Sequence, residues 1–521
     1  MAMTLLLDRH GLLGLALIGI LVAHRFWLRA PKIRRDGTPL RKPPNTLPIV
    51  GNGLLFLRDR EKLFAWFVRC ERQFGLETFR ITVPTLHPGV VINDPLNLDY
   101  VFKNEGVFAK GDFVRQRSWD LFGNGIINAD GDLWRAQRKA GSHFLTASNL
   151  RVLTDVALPR YLGRTVDHLR AQAGDGGAVD MQFIFHEITS LLMGKMAYDM
   201  EMHADDDFTV AFDHASGCVT ERFQNPLWFV TEILTGHRFR RSLAIVRDFG
   251  LGIVNNAVNG HQRTLVPPSD TDDTDGDKLD EVSGSLIQSL LASLGSQHKL
   301  VADAALTYLT AGRDTTAQAL TWCLYLLMQN TPVVERVRNE AQGLLRTRGL
   351  DVRQLGSEGS ASSALFTPIS LPYTLAVFYE TLRLYPPIPF EIRECEQATV
   401  LPDGTFLPEK AIIVWSIWAM NRSRITWGKD ADLFRPERWF TADGKLITKS
   451  PSEFPVFYGG QRTCLGKRMA EIIATQVIAT MVLMFEFAPA YEGERVSKIS
   501  LTLPMKDGLP CHVKNRTQEY S

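Results

Sequence analysis

Leu300 to Asn330 runs without a proline and stops at Thr331-Pro332, and no other stretch constrains the fold as strongly. At 1.5 Å per residue it reads as one helix about 46 Å long, enough to cross a whole domain. The rod carries a weak point of its own. Ala311-Gly-Arg-Asp-Thr-Thr316 sets a glycine in mid-helix, at a cost of about 1 kcal/mol, and two β-branched threonines beside an acid. Gly312 and Thr315 share a face. A ligand-facing groove accounts for this, with Ala311 and Gly312 leaving room, Thr315 offering a hydroxyl and Asp314 helping to deliver protons; Arg313 is expected to turn away. The plain alternative is a packing glycine and a threonine bonded to its i−4 carbonyl.

A second constraint lies near the C-terminus, in Phe454-Pro-Val-Phe-Tyr-Gly-Gly-Gln-Arg-Thr-Cys-Leu-Gly466. Cys464 stands alone in a glycine-punctuated loop that leads into the apolar, helix-periodic run Lys467 to Phe485. A helix N-terminus stabilises negative sulfur through its dipole and free N–H groups, and a thiolate held there can ligate iron. Gly459, Gly460 and Gly466 would let backbone approach a flat cofactor, Phe457 would pack on it, and Arg462 would neutralise an anionic edge. The competing reading is a buried structural cysteine. Cysteines 70, 218, 323, 395 and 511 are scattered and form no Cys-x-x-Cys pair, which fits a reducing compartment.

The pattern Phe457-x-x-Gly-x-Arg-x-Cys-x-Gly466 resembles the haem-binding signature of the cytochrome P450 family, and five specified positions in ten leave little room for coincidence. Ala311 to Thr316 is similar to the same family's oxygen-activation motif. Three more elements follow in the expected order. Trp134-Arg-Ala-Gln-Arg138 resembles a Trp-x-x-x-Arg element whose side chains leave one helix face toward a haem propionate. Arg462 and, after Pro386-Pro-Ile-Pro389, Arg393 are the other propionate candidates. Glu380-Thr-Leu-Arg383 and Phe434-Arg-Pro-Glu-Arg438 resemble the family's Glu-x-x-Arg and Pro-Glu-Arg elements. By that resemblance Glu380, Arg383 and Arg438 form a buried ion network that braces the Cys464 loop.

The N-terminus opens with an apolar run, Gly11 to Ala23, followed by Phe26-Trp27-Leu28 and the basic residues Arg29, Lys32, Arg34 and Arg35. Extended to Leu28 it reads as an uncleaved anchor with the bulk of the protein on the cytosolic side. Pro39 to Pro48 then reads as a stiff, proline-rich spacer. The expected organisation is a membrane anchor over 1–30, a hinge over 31–51 and a haem-thiolate monooxygenase domain over 52–521. That domain is expected to be mainly α with a small β region, the cytochrome P450 fold. Leu76 to Ile92 is strand-like, while the acidic run Pro267 to Ser283 and Gly356 to Ala364 read as loops. With 58 basic and 57 acidic residues the net charge is +1, so no bulk field favours nucleic acid.

The resemblance implies haem b (iron protoporphyrin IX) with Cys464 as axial thiolate, and insertion of one atom of O2 into a C–H bond of a lipophilic substrate. It also implies electrons from NADPH through a separate NADPH-cytochrome P450 reductase, with cytochrome b5 as an accessory donor, at the endoplasmic reticulum membrane. Arg462, Lys467 and Arg468 are candidates for a positive face toward an acidic donor. Gly123 to Trp134, Ala311 to Thr316, Val400 to Pro408 and Trp427 to Asp430 are similar to the branch holding plant and fungal fatty-acid and alkane hydroxylases. A long-chain fatty acid or alkane-like lipid, hydroxylated at or near its end, is the leading expectation. Oxidation of a fungal polyketide or terpenoid is the alternative, and a haem-thiolate ligand-binding or peroxide-isomerising protein is the reading from another class. Pocket residues are expected in Phe108 to Phe122 and Phe390 to Arg393.

Overall fold

The structure is a computed structural model that describes residues 33–516 apart from positions 49, 84–85, 226, 264–273, 353–354 and 356–360. The proline-free run forms one helix, His298–Met328. It is apolar on every side, so it lies in the middle of the core: Val301, Ala305, Leu309, Ala317, Leu320 and Trp322 are all buried. Helix Met181–Tyr198 packs along it, and the helices His237–Arg263, Pro372–Leu384 and Lys467–Met484 close around the rest. Polar bonds pin the rod at intervals. Tyr198 donates to the Ala305 carbonyl at 2.7 Å, Tyr308 to that of Gln137 at 2.9 Å and Trp322 Nε1 to that of Leu503 at 2.8 Å. Pro332 then opens the next helix, Thr331–Thr347, where its missing N–H costs nothing.

The strand-like patch resolves into Phe79–Ile81 and Gly89–Val91, which pair antiparallel with Arg80 opposite Val90. Ile412–Ser416 joins them parallel to Gly89–Val91, followed by antiparallel Phe390–Cys395 and the short edge strand Phe108–Ala109. This five-stranded sheet brings residues 110 and 391–393 to one place, although they are almost 300 positions apart in the chain. Two smaller sheets, of four and three strands, complete the β content of the described residues.

Four expectations need correction or fall outside the described residues. The segment expected as a hinge is folded onto the domain from residue 33. Arg34–Arg35 pairs with Thr405–Leu407, Leu40 and Pro43 are buried, and the Pro44 carbonyl accepts from Trp66 Nε1 at 3.3 Å. Apolar side chains in the proline run are the reason, because they gain more from burial than a free linker would. Within the acidic run, Thr274–Val282 is a helix, held by buried Leu279 and by Asp280, 2.9 Å from Lys195 Nζ. The expected anchor, 1–30, lies outside the described residues, as does most of the second loop, of which Ala361–Leu365 is a 3-10 turn. Among the described residues no helix is long and apolar enough to cross a membrane.

Candidate active site

A cavity of about 610 Å³ lies between the central helix and the Cys464 loop. Ala311 is the one residue between 300 and 328 that is exposed, and the surface it exposes belongs to this cavity. Cys464 is likewise accessible there, although protein encloses the sulfur on its other sides. A helix backbone bared at one alanine and a thiol bared below it leave a slot with an apolar lid and a soft ligand as its floor.

Local backbone structure aims the thiol. Gly460–Arg462 forms a 3-10 turn, the Cys464 N–H donates to the Phe457 carbonyl at 2.8 Å, and Gly466 is the N-cap of helix Lys467–Met484. Burial pushes the thiol up, opposed by the backbone N–H of Gly466, by Arg138 and by the N–H of Lys467. The glycines divide the labour differently from expectation. A Cβ on Gly459 would strike the Phe102 ring and one on Gly460 the Phe102 carbonyl, so both serve packing against helix Pro95–Lys103. Only Gly466, where a Cβ would find nothing closer than the Cys464 sulfur at 3.9 Å, stays open to the slot. Phe457 lines it as expected, with Lys467 Nζ 5.5 Å from its ring centre.

Cations gather on the cavity wall. Arg138 donates to the Thr463 carbonyl at 2.6 Å, tying helix Gly131–Phe144 to the cysteine loop. Trp134, on the same helix, carries the Arg462 guanidinium 4.7 Å from its ring. Arg462 itself is engaged by Glu105 Oε1 and Asp130 Oδ1, each at 2.6 Å, and by the Ala129 carbonyl. It is therefore part of the wall, and not of an outward positive face with Lys467 and Arg468. Arg393 is 2% exposed, lies over the Tyr458 ring at 4.8 Å and sits 3.5 Å from Glu391.

Sequence reasoning missed Lys110. It follows the edge strand, its Nζ lies 3.3 Å from Glu391, and burial with the Arg393 charge pushes its ammonium down to about 8. A lysine between a strand end and Gly111, whose φ is +69°, was the available signal.

On the central helix, Thr315 lines the cavity while its Oγ1 donates to the Ala311 carbonyl at 2.7 Å, so the bond of the plain alternative is present on a residue that faces the cavity. Asp314 also lines the cavity; its Oδ1 accepts from Arg313 Nε at 2.7 Å and lies 4.0 Å from His186 Nδ1. Arg313 turns away as expected, donating to Thr209 and stacking on Phe208. Gly312 has a packing reason: an added Cβ would stand 2.7 Å from Met193 Sδ, so the glycine lets helix Met181–Tyr198 close in.

The bracing network forms as expected and is buried throughout. Arg383 grips Glu380 through Nε and Nη2 at 2.9 and 2.8 Å, while Arg438 Nε reaches Glu380 at 2.9 Å. Arg383 also binds the carbonyls of Asn421, Ala431 and Leu433, and Arg438 those of Trp427 and Asp430. These bonds fix the irregular chain that leads into the cysteine loop.

The slot suits a flat, anionic iron cofactor: Cys464 for the metal, Ala311 and Phe457 for the ring, and Lys110, Arg138, Arg393 and Arg462 for carboxylates on its edge. Fold and slot together define a haem-thiolate protein. The chain belongs to the cytochrome P450 family, whose model, "Cytochrome P450", matches residues 41–509. It is similar to cytochrome P450 704B1 of Arabidopsis thaliana, 29% identical across 93% of this chain and 97% of that one. It is similar also to cytochrome P450 86B1 of the same plant, 30% identical across 92% and 86%. Cytochrome P450 monooxygenase cyp1 of Mycosarcoma maydis is 29% identical across 91% of this chain and 74% of its own. The protein is thus an enzyme of the cytochrome P450 monooxygenase kind.

Proposed function

We propose that this monooxygenase hydroxylates a long-chain fatty acid or alkane-like lipid at or near its end. The observation that carries the reading is the cavity lining away from Cys464. Phe56, Leu63 and Phe67, from the successive helices Gly53–Phe56 and Arg60–Phe74, and Phe212 and Phe223, from helix Asp207–Gln224, add apolar wall to the same cavity. Burying a methylene chain there gains about 0.8 kcal/mol per CH2, which favours an extended hydrocarbon. The sequence runs resembling the fatty-acid and alkane hydroxylase branch point the same way.

Bound haem would supply dioxygen activation with electron donation from the thiolate. The protein's own residues do the rest. Cys464 would ligate the cofactor's iron, and Lys110, Arg138, Arg393 and Arg462 would hold its carboxylates. Asp314 Oδ1 carries a proton between the buried Arg313 and His186 side and the cavity, and the Thr315 hydroxyl presents it. The apolar walls exclude bulk water. Electrons are assigned to NADPH through a separate reductase, with cytochrome b5 as accessory.

The reading includes the endoplasmic reticulum membrane, with residues 1–30 as anchor. Helix Trp228–Thr235 supports a lipid-facing position, because Ile233 and Leu234 are 75% and 84% exposed beside exposed Phe229 and Val230. Membranes containing the protein and a reductase, incubated with mixed fatty acids and hydrocarbons, test the substrate. Hydroxylated products near the chain end are expected; none from either class, with the haem spectrum intact, would move the assignment to polyketides or terpenoids.

A further inference from the structure

Arg117 is 6% exposed, lines the cavity, and has no carboxylate within ion-pair distance among the described residues. It sits on helix Gly111–Phe122, seven residues and so about 10 Å beyond Lys110, outside the group of cations assigned to the cofactor. Its Nε donates to the Arg222 carbonyl at 3.1 Å and its Nη1 to that of Phe113 at 3.0 Å, while Nη2 makes no hydrogen bond among the described residues. The Phe113 ring lies 3.9 Å from the guanidinium.

Capping explains part of this arrangement. Arg222 stands in the last turn of helix Asp207–Gln224, whose free carbonyls attract a cation. It does not account for Nη2. Burial and the neighbouring Arg222 charge push the guanidinium down to about 10, so it stays protonated at neutral pH. Arg222 has its own acids, Glu232 at 2.5 Å and Asp120 at 2.9 Å, and leaves none for Arg117. A desolvated cation without an anion is costly unless a ligand brings one. Gln224, at the end of the capped helix, also lines the cavity, and its side-chain amide has no hydrogen-bond partner among the described residues.

Arg60 also is a buried guanidinium on the cavity wall, outside the group assigned to the cofactor. Its Nη1 and Nη2 donate to the carbonyls of Lys498 and Thr502 at 2.6 and 2.7 Å, a tether to the C-terminal segment that leaves no outward fork.

We infer that Arg117 Nη2, assisted by the Gln224 amide, anchors the carboxylate of an amphiphilic substrate and thereby selects fatty acids over uncharged hydrocarbons. This rests on the lipid reading and sharpens it, since an acid held at its head presents its distant carbons to the Cys464 end.

The haem-loaded full chain and its Arg117→Gln, Arg117→Lys and Gln224→Leu variants are titrated with palmitic acid, methyl palmitate and hexadecane, followed by calorimetry and by the shift of the haem absorption. In the native protein palmitate is expected to bind about tenfold or more tightly than its ester, the scale of a charge-assisted hydrogen bond. Arg117→Gln should remove that preference while leaving ester binding within about twofold, which also shows that the cavity is intact. Arg117→Lys should keep part of it, and Gln224→Leu should lose a smaller share. Acid and ester binding alike to the native protein, or acid and ester weakened equally by Arg117→Gln, would overturn the anchor and leave the lipid reading standing. If none of the three ligands binds, the lipid reading falls and the anchor with it.

Discussion

Arg438 donates from Nε to Glu380 Oε1 across 2.9 Å, and the same oxygen takes Arg383 Nη2 and the Arg435 backbone N–H, each at 2.8 Å. The other oxygen takes Arg383 Nε at 2.9 Å and Trp439 Nε1 at 3.0 Å. One buried carboxylate thus joins two cations and two segments of chain. Glu380→Ala would leave Arg383 with no acid among the described residues and Arg438 with Asp430 alone, at 3.3 Å, a loss of about 3–5 kcal/mol. The expected result is a lower denaturation midpoint and loss of the thiolate-type band in the reduced carbon monoxide difference spectrum. A variant that keeps both would show that the network does not hold the cysteine loop.

Thr315→Ala separates chemistry from stability. Among the described residues the hydroxyl bonds only the Ala311 carbonyl one turn away, and such a bond contributes little to the fold. Thermal stability should change by less than about 1 kcal/mol, while product formed per NADPH consumed falls several-fold. Thr315→Ser should restore most of the coupling. Unchanged coupling in the alanine variant would remove Thr315 from the proton path.

Gly312→Ala tests the packing reading against the open-groove reading. Alanine favours the helix by about 1 kcal/mol. Its Cβ, however, would stand 2.7 Å from Met193 Sδ, and overpacking of this kind costs about 1–3 kcal/mol. A net loss of stability is expected, and adding Met193→Ala should reverse part of it, as a double-mutant cycle would measure. Additive effects would separate Gly312 from Met193.

How much of this could be read from the chain depended on whether a feature was local. The central helix was legible because an apolar, proline-free run has one stable outcome, and the Cys464 loop because its glycines, cysteine and following helix are contiguous. The partners of Arg462 were not legible: Glu105 and Asp130 lie 357 and 332 residues away. Lys110 escaped for the same reason, since only the sheet register brings it to Glu391 and Arg393. Gly459 and Gly460 looked like room for a cofactor, yet the neighbour needing that room is Phe102, on a helix that nothing in the loop announces. The acidic run misled through composition, since one buried leucine and an ion pair to Lys195 outweigh its polar residues.

His186 gives the enzyme an acid limit. It faces Asp314 at 4.0 Å, and its Nδ1 has no hydrogen-bond partner in the buried space behind the central helix. Burial is the largest influence and pushes the imidazole below its ordinary 6.5, against the pull of Asp314 and with Arg313 adding to the push. A base whose folded pKa is depressed binds fewer protons folded than unfolded as pH falls below about 6.5, so acid favours unfolding through that window. Stability should therefore rise with pH up to about 6.5 and then level off with respect to this group. In His186→Gln the slope over that window should shrink, while the plateau above it moves less. Denaturant midpoints measured from pH 5 to 8 in both proteins decide the matter, and parallel curves would mean that His186 is not the group that titrates.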